Sequence, residues 1–107
     1  MRILYAALDQ QVPGTTGGSV HVSAVADGLA ALGHDVTVLT REGPGGFPVG
    51  GRVVWQAMGP PLGLRHLRAA RGGAVAAVAR SIRAQVIVER YHNFGGEGIR
   101  AARATGA

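Results

Sequence analysis

The segment Pro13-Gly14-Thr15-Thr16-Gly17-Gly18-Ser19 carries the first residues in this chain whose types and spacing suggest chemistry. Glycines lack a Cβ, so a backbone built from them lets a ligand come close. Where such a loop runs into a helix, the unpaired N–H groups and the positive dipole end attract anions such as a diphosphate. The glycines stand at 14, 17 and 18, which is not the GxGxxG spacing of a dinucleotide turn. No Lys follows them, so the segment is not a P-loop either. The same residues also suit a plain connection ending in a Gly/Ser N-cap, and spacing alone leaves both readings open.

His21 follows in the first turn of the expected helix, off its apolar stripe. There a helix dipole disfavours the imidazolium, which leaves a neutral imidazole able to donate to a hydroxyl. A surface or capping histidine fits the same position. Glu89-Arg90-Tyr91-His92 forms a second polar cluster, directly after the apolar run Val86-Ile87-Val88. Such groups are costly at the end of an apolar strand unless they line a cleft. Arg90 can clamp an anionic or hydroxylated substrate bidentately, or form an ion pair with Glu89. His34 and His66 read as structural. No two histidines have metal-ligand spacing with a carboxylate, so no metal site is expected.

These residues need elements to position them. Arg2–Ala7 is an apolar run that reads as a buried parallel strand, with Asp9–Gly18 as a polar loop after it. Val22, Val25, Leu29 and Leu32 then mark one face of a helix ended by Gly33. Val36–Thr40 is a β-branched strand, which completes a βαβ unit. Arg41–Gly51 reads as a surface loop and Arg52–Met58 as a third strand. Leu64–Arg83 reads as one long helix with a kink or break at Gly72-Gly73 and an Arg face at Arg65, Arg68, Arg71, Arg80 and Arg83. A fourth strand at Val86–Glu89 and a helix at Glu97–Thr105 capped by Gly106 complete the series. The alternation predicts an α/β, Rossmann-like parallel sheet in the order 3-2-1-4, with helices on both faces. The fourth strand would then be a bare edge open to self-association. A helix capped by Gly with no strand after it suggests a truncated domain.

Composition narrows the field further. The chain has 107 residues, the size of one domain, and 47% of them are hydrophobic, enough for a core. With no Cys, disulfide scaffolds and cysteine nucleophiles are excluded. The net charge is +5, and all 11 basic residues are Arg. Aromatic residues make up only 5% and do not interleave with Arg, which argues against a nucleic-acid partner. No apolar run reaches the roughly 18–20 residues of a membrane span. The opening residues lack a signal peptide's cleavage site. A cytoplasmic location is the expectation, with peripheral membrane contact through the Arg face as an alternative.

Three segments together resemble one family. Met1-Arg2-Ile3-Leu4-Tyr5 opens the chain. Gly17-Gly18-Ser19-Val20-His21-Val22 runs on to Leu29 and then Leu32-Gly33-His34-Asp35-Val36-Thr37-Val38-Leu39-Thr40. Glu89-Arg90-Tyr91-His92-Asn93-Phe94-Gly95 follows the fourth strand. In combination they resemble the N-terminal domain of a GT-B fold, family 4 retaining glycosyltransferase. The resemblance implies an acceptor-side domain, residues 1–107, facing a C-terminal donor-binding domain absent from this chain. It implies sugar transfer from a nucleotide-sugar donor, which is a substrate, to an acceptor, with no cofactor and no metal. Carried over, Gly17, Gly18 and Ser19 approach the donor diphosphate, and His21, Tyr91 and His92 face the acceptor. Glu89 and Arg90 stand nearest the chemistry. Relatives often carry a histidine where Arg90 stands, and a basic residue in place of Thr16. The chain alone is expected to be inactive. Two rivals remain: an NADP-dependent Rossmann oxidoreductase reading a 2′-phosphate with Arg41, and a non-catalytic α/β subunit of a split transferase.

Overall fold

The computed structural model describes residues 1–14, 17–48, 51–59, 70–90 and 96–107. Among them are four strands, β1 (Arg2–Val12), β2 (Asp35–Glu42), β3 (Val53–Ala57) and β4 (Val86–Glu89). Three helices accompany them: α1 (Gly17–Ala31), α2 (Gly72–Ile82) and α3 (Glu97–Thr105). The strands form one parallel sheet in the order β3-β2-β1-β4. This is the predicted α/β Rossmann-like arrangement. Among the described residues, no helix is long and apolar enough to cross a membrane.

Strand β1 explains the layering. Successive side chains of a strand point to opposite faces, so Leu4, Ala6 and Leu8 join one core while Tyr5 and Ala7 join the other. The first core takes Val75, Ala76 and Ala79 of α2 and Ala101 of α3. The second takes Val22, Ala26 and Ala30 of α1 with Val36 and Val38 of β2. Helices therefore cover both faces. Leu32 lies beyond the end of α1 and is 76% exposed, so the expected apolar stripe stops short of it.

Two boundaries differ from the sequence expectation. Strand β1 does not end at Ala7 but continues through Asp9, Gln10 and Gln11 to Val12, with a register irregularity between Ala7 and Gln11. The polar residues stay in the ladder because Gln11 and Val12 find partners in Arg41 and Glu42. For the same reason Arg41 and Glu42 belong to β2 and not to the following loop. Helix α2 begins at Gly72, where the sequence places a kink or break, and Leu64–Ala69 lie outside the described residues. Glycine costs least at a helix end, where its backbone freedom is not fully surrendered.

The ends of the elements are set by backbone chemistry. Gly33 (φ 94°) and Gly106 (φ 77°) sit in the left-handed region, as a helix-terminating position requires. At the start of the sheet, Gln85 Oε1 accepts from the Arg2 amide at 3.0 Å and Arg2 Nε donates to the Arg83 carbonyl at 2.8 Å. These bonds pin β4 beside β1. With all strands parallel, their carboxyl ends meet on one rim, where open α/β sheets bind ligands.

Candidate functional site

At that rim β1 and α1 are tied together. Ser19, in the first turn of α1, is 3% exposed and donates its hydroxyl to the Gln11 carbonyl at 2.6 Å. Thr40, at the end of β2, donates to the Gln10 carbonyl at 2.7 Å. The two hydroxyls hold the carbonyls of Gln10 and Gln11, where the sheet ladder is irregular. Beside them opens a cavity of about 460 Å³, lined by Asp9, Gln10, Gln11, Pro13, Gly14 and Ser19 from one side and Arg41 and Pro44 from the other. The N-terminus of α1 meets this cavity. Its first N–H groups have no partner within the helix.

The glycines play three different parts here. A Cβ on Gly14 would lie 2.6 Å from both the Gln11 carbonyl oxygen and the Ser19 hydroxyl. Gly14 is therefore small to admit the Ser19–Gln11 bond. A Cβ on Gly18 would run into the Gln10 side-chain amide, which itself donates to Asp9 Oδ2 at 3.0 Å. Around Gly17 nothing lies within 4 Å of a Cβ. Of the three predicted donor-side residues, Gly17 has open space beside its Cα, Gly18 is covered by Gln10, and Ser19 alone lines the cavity.

Of the other predicted site residues, His21, Glu89 and Arg90 are described. His21 is exposed on α1, about one turn into the helix. Glu89 ends β4 opposite Ala6, and the Arg90 amide donates to the Ala6 carbonyl at 2.9 Å. The Glu89 carboxylate accepts the backbone N–H of Gly96, the N-cap of α3, through Oε1. That bond gives Glu89 a structural task at the start of α3. Neither Glu89 nor Arg90 lines the 460 Å³ cavity. Tyr91 and His92, like His66, lie outside the described residues.

Tyr5 links the two halves of the rim. Burial raises its phenol pKa above the usual 10.0; the Arg90 guanidinium opposes that rise and the Asp9 carboxylate adds to it. Arg90 and Asp9 therefore both act on one buried hydroxyl, with Nε of Arg90 and Oδ1 of Asp9 shielded from solvent. Asp9, Gln10 and Gln11 were absent from the predicted site, and Arg41 enters it only through the oxidoreductase alternative. Their signal in the sequence is a run of polar residues interrupting an apolar strand, which also reads as the start of a loop. Glu97, fully buried at the start of α3, was likewise unmarked.

Comparison with known proteins decides the relationship. The model of Glycosyltransferase Family 4 matches residues 15–107. The chain belongs to that family. No curated protein and no solved structure matches it. For the family 4 domain, a function of the glycosyltransferase type follows from the match, and the parallel sheet agrees with the family's N-terminal Rossmann-like unit.

Proposed function

We propose that this family 4 domain is the acceptor-side half of a retaining glycosyltransferase that uses a nucleotide-sugar donor. It works with a second, donor-binding domain across the rim of the sheet. The observation that carries the reading is the N-terminus of α1 at the 460 Å³ cavity, with Ser19 in its lining and Gly17 open. Ser19 uses its hydroxyl on Gln11. Backbone N–H groups of the first helical turn are then the donors offered to a leaving diphosphate, together with the dipole. Preorganised donors of this kind stabilise charge that develops as the bond to the leaving group breaks.

Arg90 and His21 are placed on the acceptor side in this reading, with Glu89 holding the start of α3 in position. No protein base is assigned to the transfer step. Nucleotide-sugars are substrates here, and no cofactor is invoked. The test is a titration of the chain with UDP, GDP and ADP, followed by amide chemical shifts. Saturable shifts at residues 17–20 support the proposal; shifts confined to other parts of the sheet overturn it. Sugar transfer or donor hydrolysis by this chain alone, at an enzyme-like rate, would contradict the need for a second domain.

A further inference from the structure

A second cavity of about 520 Å³ lies along the rim, at the carboxyl ends of β2 and β3, lined by Arg41, Glu42, Ala57, Met58, Gly59 and Arg71. Gly59 is gripped from two sides. Arg71 Nε donates to its carbonyl oxygen at 3.1 Å. The stem of Arg41 passes over its Cα so closely that a Cβ there would lie 3.1 Å from Arg41 Cγ. Arg41 and Arg71 thus line one cavity from elements 30 residues apart, β2 and the start of α2. Each carries five N–H donors in a planar fork, and the Gly59 bond takes one of Arg71's. The carboxylate in the lining, Glu42, reaches toward the turn at Gly46, where a Cβ would lie 3.4 Å from its Oε1.

The geometry points to a binding site for a phosphomonoester in this cavity, clamped by Arg41 and Arg71. Two forks suit a dianionic group with three terminal oxygens better than a neutral sugar. The apolar lining of Ala57 and Met58 suits the carbon skeleton that bears the phosphate. Arg41 also lines the 460 Å³ cavity, so the two sites share one wall. The inference stands on this cavity and does not depend on the proposed donor site.

The 107-residue chain is titrated with glucose 6-phosphate, inorganic phosphate and glucose while backbone amide shifts are recorded. Saturable shifts at Met58, Gly59 and Arg71 are expected with the two phosphates and not with glucose. Arg41→Gln and Arg71→Gln should each weaken glucose 6-phosphate by about tenfold, the usual scale for losing one charge-assisted contact. Gly17→Asp, which repels an anion at α1, should leave that binding unchanged while weakening UDP. Arg41 is exposed, so Arg41→Gln keeps the fold and decides the matter if Arg71→Gln disturbs the Gly59 bond. Equal shifts with glucose, no shifts with either phosphate, or unaltered binding in Arg41→Gln would overturn the inference. So would binding abolished by Gly17→Asp.

Discussion

The Ser19 hydroxyl donates to the Gln11 carbonyl at 2.6 Å, joining the first turn of α1 to the end of β1 across eight residues. This bond orients the helix N-terminus toward the cavity and occupies the Ser19 hydroxyl that a ligand would otherwise meet there. Ser19→Ala should therefore act on stability before it acts on binding. With the part-buried Gln11 carbonyl losing this donor, unfolding in urea should shift by about 1 kcal/mol. UDP affinity should change less than stability does, because the backbone N–H groups remain.

Gly43 presses against the backbone at Pro13, and its amide donates to the Val12 carbonyl at 2.9 Å. A Cβ at 43 would sit 2.9 Å from Pro13 N and closer still to its carbonyl oxygen. Backbone atoms cannot swing aside as a side chain can. Gly43→Ala should cost about 1–3 kcal/mol, the usual range for overpacking, read as a lowered urea midpoint.

Glu89 holds α3 through the Gly96 amide, and Gly98 lies directly under its stem, 2.8 Å from Glu89 Cβ to a Cβ placed there. Glu89→Ala should lower stability by about 1.5–3 kcal/mol, the scale of a hydrogen bond to a charged group. Glu89→Gln keeps an acceptor oxygen and should recover part of the loss. If Glu89 served only in chemistry, thermal or urea unfolding would show neither effect.

Tyr5 supplies a pH dependence with a definite sign. Its pKa in the folded chain lies above the ordinary 10.0, first because of burial, so the folded state favours the neutral phenol. The contribution is complete below pH 10 and is lost as pH rises through the raised folded value. Stability should fall on the alkaline side, and Tyr5→Phe should flatten that fall in urea unfolding followed from pH 8 to 11.

Much of the fold was legible because buried parallel strands are apolar on both faces: Ile3–Ala7, Val36–Thr40 and Val86–Val88 announce themselves. Gly33 and Gly106 marked helix ends that only a left-handed residue closes easily. Asp9, Gln10 and Gln11 were read as loop because polarity outweighs pattern in a local reading. Their place in β1 depends on Arg41 and Glu42, about 30 residues away, which no local window contains. The site follows the same division. Ser19 and Gly17 were visible through their position before a helix, whereas Gln10 and Arg41 reach the cavity only through tertiary pairing.

The most direct test of the account is Gly17→Asp. Gly17 has open space where the new side chain begins, and a carboxylate in a first helical turn contributes about 0.3–1 kcal/mol of stability through the dipole. The variant should unfold no more easily than the parent while binding UDP, GDP or ADP about tenfold more weakly, measured by amide shifts at residues 17–20. Unchanged affinity in a stable variant would show that the diphosphate does not rest on α1.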